Sequence, residues 1–159
     1  AKKYGYDFKL LKEVDNINSD AAGRFVEKVI KLMGGNIKGK TIGVLGLAFK
    51  PKTDDMREAP SIKIITALQK EGANIKAYDP VAMENAKQLI KGVVMTDNPY
   101  ETAEKTDALL IITEWNEFKQ LDLFKIKKSM NTPLIVDGRN IYNPAKVKKL
   151  GFVYKGVGR

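Results

Sequence analysis

The chain has 159 residues, 43% hydrophobic and 30% charged, enough for one domain with a real core and little left for a second. It contains no cysteine and no histidine, so disulfides, thiolate metal sites, a cysteine nucleophile and the commonest general base are all excluded from it. The net charge is +9, which suits a polyanion, a smaller phosphate-bearing ligand, or simply a lysine-rich surface. The lysines are scattered over helix faces, with no recognition helix, zinc spacing or aromatic-basic motif, so no nucleic-acid partner is expected. No apolar run approaches the roughly 20 residues needed to span a bilayer and no signal-peptide pattern opens the chain, so no membrane partner and a cytoplasmic location are expected. The chain starts at Ala1 in mid-pattern, as a piece of something longer would.

Residues 8–14 read as a short helix followed by a polar break. Ser19 or Asp20 then caps a longer helix, whose apolar positions Ala22, Phe25, Val26, Val29, Ile30 and Met33 recur at three- and four-residue spacing. Gly34-Gly35 ends it. This helix either docks on the domain or closes a connector from another one, and the connector is the reading adopted. The tail of that helical connector is placed at 1–38 and the main domain at 39–159.

From there strand and helix alternate. Strands are expected at 41–45, 74–78, 93–95, 108–113, 134–136 and 152–154, and helices at 61–69, 83–90, 99–105, 123–130 and 145–150. The run ALLIIT at 108–113 is continuously apolar, as the middle of a parallel sheet should be. The alternation with short turns predicts an α/β fold, a doubly wound, Rossmann-like parallel sheet with flanking helices and right-handed crossovers.

In such a sheet all C-terminal strand ends share one edge, where nucleotides bind. Four ends stand out. The first strand breaks at Gly46 and empties into a long loop carrying Lys50, Lys52, Asp54, Asp55, Arg57 and Glu58. The glycine permits a tight turn and close approach to a ligand. The pattern is not GxGxxG, and the loop is either functional or a solvated stretch whose charges pair among themselves. Asp79 follows the second strand, where it either binds a ribose or caps its own turn; the cap is favoured. Trp115 either stacks on a base or packs with Phe118, and Glu114 has no evident general-base context. Arg139, beside Gly138, can take a phosphate oxygen bidentately or pair with Asp137. No catalytic set assembles from these groups, so binding is better supported than chemistry.

The segment GLAFKPKTDDMREAPS at 46–61, with YDP at 78–80, TEW at 113–115, DGRN at 137–140 and the opening YGYDFKLLKEV, resembles the UDP-glucose 6-dehydrogenase family, within the UDP-glucose/GDP-mannose dehydrogenases. The resemblance covers essentially the whole chain. It implies the C-terminal, UDP-binding domain of an enzyme that oxidises a nucleotide sugar at C6 in two NAD-dependent steps. The NAD-binding domain, the catalytic cysteine and most of a central dimerisation region would lie upstream. Carried over by position, Phe49 and Lys50 match a pair that contacts the nucleotide sugar, and Arg139 matches an arginine that contacts substrate. Arg57 matches an arginine that reaches NAD held by the first domain. Asp79 and Trp115 are given structural roles. The expected partners are a UDP-sugar, the other domains of the enzyme and a second subunit of a homodimer. A dehydrogenase of UDP-N-acetylmannosamine or GDP-mannose, or a free-standing nucleotide-binding module, stays open as an alternative.

Overall fold

The computed structural model describes residues 9–158. Its centre is a six-stranded, all-parallel sheet in the order β3-β2-β1-β4-β5-β6, as the alternation predicted. The strands are β1 (Thr41–Leu45), β2 (Asn74–Tyr78), β3 (Val93–Met95), β4 (Ala108–Ile111), β5 (Leu134–Asp137) and β6 (Val153–Gly156). The order reverses between β1 and β4, the position where a crevice opens in folds of this kind.

Both faces of the sheet are covered, and the strands divide their side chains between them with a period of two. Ala108 and Leu110 of β4 and Leu134 and Val136 of β5 belong to one core. That core also takes Ile64, Ile65 and Leu68 of α2 (Pro60–Lys70) and Ala86 of α3 (Met83–Leu89). Leu109, Ile111 and Ile135 point to the other core, with Ala103 of α4 (Pro99–Ala103) and Phe118 of α5 (Asn116–Lys119). Ile126 of α6 (Leu123–Ser129) and Val147 of α7 (Pro144–Lys149) complete it. Every residue of β4 and β5 is buried, which is why β4 and the first three residues of β5 read as unbroken apolar runs. The helices start where the chain supplies caps. Asn98, Asp122 and Asn143 each accept two backbone N–H bonds at the head of α4, α6 and α7, and proline occupies the first turn of α2, α4 and α7.

Two expectations change. The break expected after residue 14 is absent: α1 runs unbroken over Lys9–Leu32, while Phe8 lies outside the described residues. The stretch 15–19 holds Asp, Asn and Ser but neither Gly nor Pro, so each residue costs the helix only a few tenths of a kcal/mol. Asp20, taken as a possible cap, lies inside the helix and faces Arg24 one turn on at 3.9 Å. The second half of α1 enters the core through Phe25, Val26 and Val29, whereas Val14 and Ile17 in the first half are exposed. The second change is α5, one turn after β4 that periodicity did not reveal because it is four residues long.

Candidate functional site

The loops leaving β1 and β5 converge on the end of β4, which lies between them in the sheet. Each begins with a glycine that makes the approach possible. At Gly46 (φ +93°) a Cβ would sit 2.5–2.9 Å from Thr113 atoms. At Gly138 it would sit 2.8 Å from the Ile111 carbonyl oxygen. The close approach expected at Gly46 is therefore to the neighbouring strand's backbone and not to a ligand, because Thr113 already fills the space.

Two aspartates brace these loops. Asp79, after β2, is 1% exposed. Its Oδ1 accepts from the N–H groups of Val81 (3.0 Å) and Ala82 (2.9 Å), the local cap. Its Oδ2 accepts from Leu47 N (2.7 Å), Ala48 N (3.1 Å) and Trp115 Nε1 (3.1 Å). With five donors on one carboxylate, nothing is left for a ribose. The dinucleotide position of this sheet, lacking GxGxxG and with its acid fully engaged, does not fit NAD. Trp115 packs into the core cluster that holds Phe118. Asp137, closing β5, accepts from Arg139 N (3.0 Å), Tyr142 N (3.2 Å) and Tyr154 Oη (2.8 Å). Burial pushes the Tyr142 phenol well above its ordinary value, which removes it as an acid or base near neutrality.

The residues singled out by sequence stand at this edge. Phe49 projects its ring half into solvent, 51% exposed, and Lys50 beside it is exposed. Phe49 N donates to Asp55 O across the loop (2.9 Å), and Asn85 Nδ2 ties Asp54 to α3 at 3.0 and 3.2 Å. Arg57 projects from the far side of the same loop, its side chain 89% exposed. Its Nε (3.0 Å) and Nη2 (2.8 Å) hold Asp55 in a fork. The charges of this loop thus do pair in part among themselves. Arg57's guanidinium, then its backbone N–H, hold the Asp55 carboxyl down at about 2. A groove of about 660 Å³ runs under this segment between Thr53, Met56, Arg57, Asn85 and Leu89.

Arg139 does not pair with Asp137 through its guanidinium, as one reading of DGR had it. Asp137 takes the backbone N–H instead. The guanidinium grips Glu114 through Nε and, at 2.6 Å, through Nη2. Arg139's hydrogen bonds in turn hold the Glu114 carboxyl below the usual carboxylate range. Glu114 is the residue sequence reasoning passed over. It lies 25 positions from its partner, so no spacing signals the pair; only the adjacency of β4 and β5 creates it. The pair lines a second groove, about 590 Å³, with Lys119, Gly138, Asn140, Ile141 and Val157. Lys50 and Arg139 stand on the same edge with the end of β4 between their loops, and neither of these two grooves is lined by both. Among the described residues there is no cluster of acidic side chains able to hold a metal ion, and no helix long and apolar enough to cross a membrane.

The comparisons with known proteins agree with this architecture. The chain is 47% identical over its whole length to UDP-glucose 6-dehydrogenase of Rhizobium meliloti and 42% identical to that of Pseudomonas aeruginosa. It spans only 36% of either relative, about a third, corresponding to their C-terminal part. Among solved structures, a UDP-glucose dehydrogenase from Pyrobaculum islandicum superposes with a TM-score of 0.80 at 29% identity, covering 98% of this chain and 33% of that one. A UDP-D-ManNAc dehydrogenase from Pyrococcus horikoshii superposes at 0.74 with 28% identity, covering 97% and 34%. Residues 43–144 match the description "UDP-glucose/GDP-mannose dehydrogenase family, UDP binding domain", and with the convergent strand-end loops already in place, the chain belongs to that family as its UDP-binding domain.

Proposed function

We propose that this domain receives the nucleotide part of a UDP-sugar for an NAD-dependent UDP-glucose 6-dehydrogenase that oxidises C6 in two steps. The observation that carries the reading is the placement of an exposed aromatic ring and two cations, Phe49, Lys50 and Arg139, on the loops flanking the end of β4. A ring suits a sugar or base face. An ammonium and a guanidinium suit a diphosphate, with three N–H donors of Arg139 left after Glu114 has taken two.

The chain holds no cysteine and no histidine, so its part is binding, orientation and exclusion of water. NAD, the hydride acceptor, belongs to another domain, in keeping with the poor fit of this sheet's own dinucleotide position. Arg57, almost wholly in water beside its partner Asp55, is the one residue here proposed to reach it. The exposed Val14 and Ile17 of α1 favour residues 1–38 as the tail of a region that links the domains and the subunits of a cytoplasmic homodimer.

Calorimetry on the 159-residue chain tests this reading. Lys50→Ala or Arg139→Ala should each weaken UDP binding by about 1.5–3 kcal/mol, the worth of a charge-assisted hydrogen bond. Arg57→Ala should leave UDP affinity unchanged. Supplied with UDP-glucose and NAD, the chain should make no NADH. Unaltered affinity in both Lys50→Ala and Arg139→Ala, or steady NADH production, would overturn the reading.

A further inference from the structure

The backbone N–H and C=O groups of Leu47 and Ala48, which lead into Phe49-Lys50, are held by three side chains. Leu47 N and Ala48 N donate to the Asp79 carboxylate. Leu47 O accepts from Ser61 Oγ at the start of α2 (2.5 Å), and Ala48 O accepts from Thr113 Oγ1 after β4 (2.7 Å). Trp115 Nε1 steadies the same Asp79 oxygen. Ser61, Asp79 and Thr113 are each 1% exposed.

Burying a hydroxyl or a carboxylate is costly unless it is fully bonded, and each of these is bonded to the buried backbone of Leu47 and Ala48. Three of the seven buried polar side chains among the described residues are spent on this one dipeptide. Immediately beyond it, Phe49 is 51% exposed. A large ring held half in water on a fully braced backbone is what a preformed contact surface requires, since the ordering entropy is then met on folding and not on binding.

We infer that Ser61, Asp79 and Thr113, with Trp115 behind Asp79, are positioning residues that pre-orient Phe49 and Lys50 toward the nucleoside diphosphate. The inference rests on the UDP reading above. It adds that affinity depends on four side chains that touch no ligand and that come from the start of α2 and the connections after β2 and β4. Loosening any one of them lets the dipeptide rotate, and Phe49 and Lys50 then lose their orientation together. Arg139 is carried by the loop after β5 and held by Glu114, so its contact does not pass through the Leu47-Ala48 backbone.

The test is a pair of mutant cycles read by UDP titration and thermal unfolding. Thr113→Val removes the bond to Ala48 O with little change in volume. It should weaken UDP binding about tenfold in the otherwise wild-type chain. The same tenfold loss should appear in an Arg139→Ala background, because that contact is independent. In a Phe49→Ala/Lys50→Ala background it should vanish, because the side chains it orients are gone. The cycle is repeated with Ser61→Ala and with Trp115→Phe, so that the outcome does not hang on the folding of one variant. A variant acting through general loosening of the domain would lower affinity equally in both backgrounds, and that result would overturn the inference while leaving the UDP reading intact. No binding of UDP by the wild-type chain would remove the reading and the inference together.

Discussion

The loop after β1 and the loop after β5 solve the same problem differently. Both must turn sharply over the end of β4, and both do so with a glycine at the closest point. Both carry an arginine held in a fork by a carboxylate. In the first, Arg57 takes Asp55, two residues away, and stays 89% exposed. In the second, Arg139 takes Glu114 from the neighbouring strand end, and its side chain is 43% exposed. The first pair is a local ornament of one loop. The second fastens two strand ends together, so its geometry depends on the whole sheet. An arginine meant to reach outward to another domain suits the first arrangement, and one meant to hold a fixed place in a cleft suits the second.

The glycines allow the sharpest test of that contrast. Gly46→Ala adds a methyl group 2.5 Å from Thr113 Cβ and 2.6 Å from its backbone nitrogen, at a φ of +93° that alanine avoids. Clash and backbone strain together should destabilise the chain by about 3 kcal/mol. Gly138→Ala meets the Ile111 oxygen at 2.8 Å and the Phe25 ring at 3.3 Å, with no left-handed backbone to strain. Its loss should be smaller, about 2 kcal/mol, because a single backbone atom stands inside 3.0 Å, the Phe25 ring can give, and no left-handed backbone adds strain. Urea midpoints at constant m-value report both. A Gly138→Ala loss larger than that of Gly46→Ala would mean that the β5 loop, not the β1 loop, is the rigid one.

The same contrast marks how far the sequence could be read. The period-two and period-3.6 patterns found all six strands; the one helix missed is four residues long, the one misjudged break crosses a polar run, and several bounds shift by one or two residues, as at α4 and β4. Phe49, Lys50, Arg57 and Arg139 can be singled out from sequence because each sits in a short motif in a loop that follows a strand. What was not visible is long-range. Glu114 meets Arg139, Ser61 meets Leu47 O, and Asp79 reaches back to Leu47 and Ala48 across 31 or 32 positions. The Glu114 and Asp79 pairings follow from the strand order and the Ser61 pairing from the path of one long loop, and neither is encoded in the local spacing of residues. Asp79 shows the limit well: its local cap of Val81 and Ala82 was foreseeable, while the three bonds that make it a brace were not.

A smaller effect separates the two arginine pairs by pH. Glu114 has its folded-state carboxyl lowered, first by the Arg139 hydrogen bonds. In the unfolded chain it returns to the ordinary glutamate value, about 4.3. Above that value both states are ionised and the pair's contribution is fully present. As pH falls through the unfolded value toward the lowered folded one, the unfolded chain takes up the proton first, and the contribution drains away. With side chains 30% and 43% exposed, its size should be no more than about 1 kcal/mol. The wild type should therefore exceed Glu114→Gln in stability near pH 6, and the gap should close as pH falls below the unfolded value, in parallel urea titrations. Asp55 is lowered to about 2, yet its partner is two residues away and almost wholly in water, so the unfolded chain can keep much of the same pairing and Asp55→Asn should show a smaller pH-dependent gap than Glu114→Gln. A pH-dependent gap for Asp55→Asn as large as that for Glu114→Gln would erase the distinction between a local pair and one that joins two strands.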